Sequence, residues 1–280
     1  MDKKELQNPA LYTNRELSWL LFNKRVLSEA RDKQLLLFER LKFLSITASN
    51  LDEFFMVRIG SLVDMIHAEY TKKDIAGMSA KEQLDALMEE THKFAALQYS
   101  TYNRMLLPQL RANGLNFVEH HEQLTERQAQ YVDEYFEENV YPVLTPMAVD
   151  SSRPFPLIRN KTLNIGALVA KKGEKDTEIE FATVQVPSVL PRVVRIPAAK
   201  EGDTEVAVLL LEEIIERNIS KLFLNYNVLC AHPFRITRNA DLAIDEDEAE
   251  DLLLEIEKQI KKRTWGQTAV KDSVPRAFRA

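Results

Sequence analysis

The sequence predicts an α+β protein with two domains: a helical bundle over residues 1–113 and an α+β domain with a mainly antiparallel sheet over residues 114–267. Apolar residues recur three and four positions apart up to about residue 113, which is typical of amphipathic helices. Short β-branched runs separated by turn residues follow from residue 163 onwards, as in an antiparallel sheet. With 280 residues, 45% of them apolar, the chain is long enough to bury two cores. Residues 268–280 fit neither pattern and form a divergent tail.

Three helical patterns predict the N-terminal bundle. The first begins at Asn14, whose side chain can cap a helix, and extends to about residue 33. The second covers residues 35–70 and predicts two helices joined near Thr47–Asn50. The third covers residues 79–114 and opens with a Ser-x-x-Glu capping box.

The α+β domain begins with one more helix and then changes character. Thr125 and Gln128 form a second capping box, and four prolines between residues 142 and 156 end regular helix. The remaining elements are strands at 163–170, 178–186 and 193–196, a helix at 209–218, one or two strands at 225–237 and an amphipathic helix at 245–263. The acidic start and basic end of that last helix suit the helix dipole.

Charge and cysteine content exclude several classes of protein. A net charge of −6 provides no overall attraction to nucleic acid or anionic lipid, so a polyanionic ligand would need a local basic patch. The single cysteine, Cys230, indicates a reducing, cytoplasmic compartment, and we expect it to pack as a small apolar side chain. The N-terminus lacks an apolar signal core, and the longest aliphatic run, Val206–Leu211, is far shorter than the roughly 20 residues that span a bilayer. No membrane anchor is therefore expected.

Glycine and histidine spacing excludes common ligand sites. The seven glycines form neither a GxxxxGK[ST] nor a GxGxxG loop, so any nucleotide site must be of another kind. The histidines are widely spaced and there is no CxxC pair, so no metal site is predicted. The acidic run at residues 245–251 fits the charged start of a helix better than a metal site.

The motif SNLDEFF at residues 49–55 allows two interpretations. Asn50, followed three positions later by Glu53, is a helix-start pattern in which the Asn side chain caps the helix. Alternatively, the Asn50 amide can pair with the donor and acceptor of an adenine edge, close to a helix N-terminus that favours phosphate oxygens. The two are compatible if Ser49 takes over the cap.

A second motif, YPVLTPMAVDSSRPFPLIRNK at residues 141–161, places cations among prolines. Arg153, Arg159 and Lys161 can donate hydrogen bonds to a phosphate chain from a stiff loop. The alternative is a solvated loop whose cations balance nearby acidic residues.

In this order, the two motifs resemble the N-terminal and head domains of bacterial polyphosphate kinase, and the resemblance covers residues 11 to about 267. That family transfers the γ-phosphate of ATP to polyphosphate, reversibly, through a phosphohistidine. The resemblance implies ATP and polyphosphate as ligands, Asn50 as an ATP-binding residue, and a homo-oligomer in the full-length family. It also implies that the phosphohistidine and the magnesium ligands belong to a C-terminal half with no counterpart in this chain.

The five histidines bear on whether the chain is active by itself. None of them lies in a matching motif, so no catalytic residue is predicted; they are His67, His92, His120, His121 and His232. Because the resemblance ends abruptly, we expect the chain to be an N-terminal portion of such an enzyme, left by an interrupted gene or a deliberate cut. We expect this portion to be inactive by itself. The alternative is a genuine short homologue. The alternative function is a non-catalytic module that binds polyphosphate or another subunit, and a third is a remnant without function.

Overall fold

The computed structural model describes residues 5–149, 158–173 and 179–239. Contacts between Cα atoms divide them into unit 1, residues 5–109 with 237–239, and unit 2, residues 110–236. The predicted helix at 245–263 lies outside the described residues. No helix of the described part is both long enough and apolar enough to cross a membrane.

Unit 1 is helical, as the spacing of its apolar residues predicts. Its helices are α1 (Arg15–Arg31), α2 (Leu37–Phe54), α3 (Gly60–His67) and α4 (Ala80–Thr101), and α5 (Leu107–Ala112) begins in unit 1 and ends in unit 2. The cap at Asn14 is confirmed, because its side chain accepts hydrogen bonds from two backbone N–H groups of the first turn of α1. The capping box of Ser79 and Glu82 is likewise present at the start of α4.

The predicted helix junction near Thr47–Asn50 is wrong. α2 runs without interruption through these residues to Phe54, where a π-helical turn, Phe55–Ile59, leads directly into α3. Asn and Thr favour helix ends because their side chains can bond to the local backbone. Here the Asn50 side chain bonds to another helix instead, so nothing interrupts α2.

Two apolar clusters stabilise unit 1. In one, Trp19 of α1 stacks on Phe54 of α2, with ring centroids 4.5 Å apart and planes inclined by 12°. In the other, Leu27 and Ala30 of α1 pack with Phe94 of α4. α1 therefore packs against α2 through Trp19 and against α4 through Leu27 and Ala30.

Unit 2 contains two sheets and two α-helices. A four-stranded antiparallel sheet has the order β2 (Pro146–Val149), β4 (Ile179–Gln185), β3 (Leu163–Lys171) and β7 (Tyr226–Arg235). A three-stranded sheet has the order β1 (Leu115–Val118), β6 (Val206–Leu210) and β5 (Val193–Ile196). The helices are α6 (Glu126–Tyr135), which begins at the predicted Thr125 and Gln128 capping box, and α7 (Leu211–Arg217). The mainly antiparallel α+β fold is confirmed.

The strands β1, β2 and β6 were not predicted, and β1 and β6 form a parallel pair. β6 is a continuous apolar run whose three central residues are buried, so it shows no alternation of apolar and polar residues. The apolar spacing therefore predicts a helix from residue 209, which includes the last residues of β6, whereas the helix in the structure begins at Leu211.

Both sheets and both helices contribute to one core in unit 2, with Phe136 and Ile215 among its fully buried residues. Cys230 does not belong to it: the side chain is exposed on β7, opposite the exposed Leu168 of β3. The expectation that Cys230 packs as an apolar side chain is wrong, because the register of β7 turns this position outwards.

Candidate functional site

Asn50 lies inside α2, one turn before the helix ends. Its side chain is half-buried, and Nδ2 donates a hydrogen bond of 3.0 Å to Oδ1 of Asn23 in α1. No helix starts at this position, so neither Asn50 nor Ser49 acts as a helix cap. The structural interpretation of the SNLDEFF motif is therefore wrong, and the Asn50 amide is positioned by tertiary contacts.

A row of hydrogen-bonded polar groups holds the Asn50 side chain in place. Asn23 is fully buried, and its Nδ2 donates to the backbone oxygen of Thr47 at 3.1 Å. The Thr47 hydroxyl donates to the backbone oxygen of Leu44 at 2.7 Å and accepts from Nε2 of Gln98 at 2.9 Å. Because each of these buried side chains is hydrogen-bonded, the row fixes the orientation of Asn23 and, through it, of Asn50.

The Asn50 amide retains hydrogen-bonding capacity. Its Oδ1 accepts no hydrogen bond from any residue in the described part of the chain, and Nδ2 has a second hydrogen besides the one donated to Asn23. An acceptor and a donor side by side match the N–H and ring nitrogen on an adenine edge. The geometry therefore suits a planar base that carries both groups.

An ion pair lies near the start of α1. Glu16 is buried, and both of its oxygens accept from Nη1 of Arg58, at 3.2 and 3.0 Å. Arg15 donates to the same carboxylate from the exposed side. Arg58 belongs to the π-helical turn that follows α2, and such turns recur at functional sites. Since its guanidinium is bound to Glu16, Arg58 contributes to the packing of α1 against this turn.

Arg159 and Lys161 are exposed in the turn that precedes β3 in unit 2, whereas Asn50 belongs to unit 1. The backbone N–H of Lys161 donates to Ile236 at 2.9 Å, and Lys161 has a φ of 60°, a left-handed conformation that side chains other than Gly, Asn and Asp seldom adopt. Neither cation has a carboxylate within 4.0 Å in the described part of the chain. Arg153 lies outside the described residues.

The histidines divide into two groups. His67 ends α3, and His92 is exposed on α4 with Nδ1 2.6 Å from the backbone oxygen of Met88. The other three belong to unit 2 and lie among carboxylates of α7 and of the turn after β1; they are His120, His121 and His232.

The cluster around Glu213 was not evident from residue spacing. One oxygen of Glu213 accepts from the backbone N–H of His121 at 3.0 Å and lies 3.2 Å from its Nδ1. The other oxygen is 3.9 Å from Nδ1 of His120, and ligand atoms of His120, Glu122 and Glu213 lie within 4.8 Å of one another. A sequence signal exists in retrospect: His-His-Glu at 120–122 and Glu-x-x-Glu at 213–216, but 92 residues separate the two.

Burial and the neighbouring Glu213 and Glu122 carboxylates raise the pKa of Glu216 to about 7. His232 is the nearby basic group, with Nδ1 3.6 Å from a Glu216 oxygen. The cluster therefore includes a carboxyl group that titrates near neutral pH.

Two family models match the chain. Residues 12–118 match the polyphosphate kinase N-terminal domain, and residues 127–272 match the polyphosphate kinase middle domain. The first segment overlaps the predicted helical region and extends beyond residue 113, and the second overlaps most of the predicted α+β region and extends into the predicted tail.

Similar proteins carry the same description. The polyphosphate kinase of Halalkalibacterium halodurans is 48% identical over 263 residues, which cover 94% of this chain and 37% of that protein. Polyphosphate kinase 1 of Chlorobaculum tepidum is 40% identical over 274 residues, which cover 96% of this chain and 39% of that protein. The crystal structure of polyphosphate kinase from Porphyromonas gingivalis superposes with a TM-score of 0.71 at 27% identity, over 94% of this chain and 42% of that one. The chain spans less than half the length of each.

Proposed function

This chain belongs to the polyphosphate kinase family, and from that premise we propose that it supplies one wall of the family's nucleotide site through Asn50. The family reaction moves the γ-phosphate of ATP to polyphosphate, giving ADP and a chain one unit longer, and is reversible. In such an enzyme, we propose that these residues position the nucleotide and form subunit contacts within a cytoplasmic homo-oligomer. The covalent step on a phosphohistidine is assigned to the part of the family that these residues do not match.

This proposal rests on the hydrogen bonds that the Asn50 amide makes and on those that it leaves open. Asn23 holds Nδ2 at 3.0 Å, so the free acceptor Oδ1 and the second N–H of Nδ2 keep a fixed direction. Preorganisation of this kind lowers the entropy lost on binding a planar base. The hydrogen-bond partners of Asn50 and Asn23 are amide and carbonyl groups without a carboxylate, which suits a base better than a magnesium ion. We therefore assign no magnesium ligand to this row.

The test is calorimetric titration of the 280-residue chain with the β,γ-imido analogue of ATP. We expect Asn50→Ala to weaken binding at least tenfold, because both adenine hydrogen bonds disappear, about 1.4 kcal/mol or more. Asn103→Ala is the matched control, since Asn103 is an exposed asparagine of the π-helical turn Tyr102–Leu106, and it should bind as the wild type does.

Asn50→Ala also removes the hydrogen bond to Asn23, which costs about 1 kcal/mol of stability. Titrations are therefore run well below the melting temperature of each variant, measured in parallel. Equal affinity of wild type and Asn50→Ala would assign Asn50 a structural role alone, and absence of binding by the wild type would show that this chain lacks a sufficient site.

A second candidate function is a non-catalytic module that binds polyphosphate. It is favoured by the exposed cations Arg159 and Lys161, which lack a carboxylate partner in the described part of the chain. Cations that no carboxylate of the described residues contacts are suited to bind a polyanion. Arg153, eight residues before Lys161 in the sequence, is included in this proposal on the sequence motif alone.

A further inference from the structure

Glu213 presents its two carboxylate oxygens to different partners. Oε2 is engaged by His121, through the backbone N–H at 3.0 Å and the ring Nδ1 at 3.2 Å. These two contacts fix the carboxylate on α7, and the side chain is only 13% exposed. Oε1 is thereby directed to the side where Nδ1 of His120 lies, 3.9 Å away.

The distance between Oε1 of Glu213 and Nδ1 of His120 is too long for a hydrogen bond. Two ligands of a tetrahedral zinc ion, each about 2.0–2.2 Å from the metal, lie about 3.4 Å apart, so a small side-chain movement brings these two atoms to the separation that one ion requires. Glu122 completes the set, because its carboxylate oxygen lies within 4.8 Å of both ligand atoms. Its side chain is exposed, and Oε1 lies 3.5 Å from Nε2 of His121.

The charges of the cluster favour a cation. In the described part of the chain, no lysine or arginine lies within 4.0 Å of the Glu122, Glu213 and Glu216 carboxylates. Their basic neighbours among the described residues are the imidazoles of three histidines, His120, His121 and His232. A divalent ion would neutralise charge that the protein itself leaves uncompensated.

We propose that His120, Glu122 and Glu213 bind a divalent transition-metal ion, with Zn²⁺ as the best match. One imidazole nitrogen and two carboxylate oxygens are ligands that Zn²⁺ accepts, and three protein ligands leave a fourth position for water. Mg²⁺ is excluded as the preferred ion because it takes oxygen ligands and avoids imidazole. His121 is a positioning residue, since it holds Glu213 and leaves Oε1 available.

The experiment uses the full 280-residue chain, treated with EDTA and dialysed, without ATP or polyphosphate. Zn²⁺ is titrated by calorimetry, Co²⁺ by its visible absorption, and Mg²⁺ serves as the ion expected not to bind. His120→Ala and Glu213→Gln each remove one ligand, and the Gln side chain still accepts a hydrogen bond from His121. His92→Ala removes an exposed histidine of unit 1 and is the matched control.

We expect one Zn²⁺ per chain, a rise in melting temperature on addition of Zn²⁺, and at least a tenfold loss of affinity in both ligand variants with none in His92→Ala. In EDTA, Glu213→Gln should still unfold in one cooperative transition, which separates loss of a ligand from loss of fold. Equal Zn²⁺ affinity in wild type and His120→Ala would overturn the proposal, as would absence of binding by the wild type. Mg²⁺ binding as tight as Zn²⁺ would overturn the assignment to a transition metal.

Discussion

Asn50 forms a tertiary hydrogen bond to Asn23 instead of the helix cap that its local sequence predicts. In a helix interior, asparagine is less favourable than alanine by several tenths of a kcal/mol, because its amide competes with the backbone. The hydrogen bond to the buried Asn23 removes that competition and offsets the cost. The same bond leaves one acceptor free, so the ligand contact proposed for Asn50 is compatible with this structural contact.

Glu216 provides a pH-dependent prediction. Its pKa is raised to about 7 by burial and by Glu213 and Glu122, so the folded state holds the proton more tightly than the unfolded state does. Its contribution to stability is therefore fully present below the unfolded pKa of about 4.5 and is lost as pH rises through about 7.

Glu216→Gln should therefore melt higher than the wild type at pH 8, by about 2 °C, because glutamine resembles the protonated acid. The difference should shrink towards zero at pH 5. Thermal melts at both pH values in EDTA measure it. An equal difference at the two pH values would mean that packing rather than ionisation of Glu216 is responsible.

At the scale of elements, π-helical turns continue three helices without a break: Phe55–Ile59 after α2, Tyr102–Leu106 after α4 and Phe136–Val140 after α6. A π turn inserts a residue into the α-helical repeat and so rotates the face that follows. Phe54 stacks on Trp19 immediately before the first of these turns, and Ile59 at its end is still buried in the same cluster. The π turn therefore keeps these apolar residues in the core, whereas an uninterrupted α-helix would rotate the later ones away from it.

The turn of Arg159 and Lys161 is the element through which polyphosphate binding is predicted. Replacing both by Gln removes two exposed charges and should weaken polyphosphate binding about tenfold at low salt, with a reduced dependence of affinity on salt. Arg195→Gln with Lys200→Gln removes the same charge from exposed positions elsewhere in unit 2 and is the control. Fluorescence anisotropy with end-labelled polyphosphate measures both. Equal losses in the two double variants would indicate attraction by net charge alone.

At the scale of the whole molecule, the chain carries two of the family's domains over 35–39% of the length of its curated relatives. The covalent step that we propose for the family needs a nucleophilic histidine within reach of the γ-phosphate. Three of the five histidines instead contact glutamates of unit 2, and His92 lies beside a backbone carbonyl. On our proposal that the nucleophile belongs to the part of the family that these residues do not match, this chain alone has no path through the covalent step.

The 280-residue chain should therefore form no acid-insoluble polyphosphate from labelled ATP. A full-length relative, assayed over the same reaction times, should give abundant product. The relative from Halalkalibacterium halodurans is a suitable positive control, at 48% identity. Synthesis that co-purifies with the chain and falls in Asn50→Ala would contradict the prediction.

The sequence by itself determined the helices that begin at Asn14, Ser79 and Thr125, because a cap and its first turn lie within four residues of each other. It also determined the family, through two motifs in the matching order. Strands β3, β4 and β5 followed from β-branched runs bounded by turn residues.

Only the tertiary structure decided what particular side chains do. Asn50 is held by a residue 27 positions away, and Glu213 meets His121 across 92 positions. The parallel pairing of β1 with β6 likewise joins distant segments. Local spacing reports interactions within a turn or a strand, whereas these contacts exist only after the core has brought separate elements together.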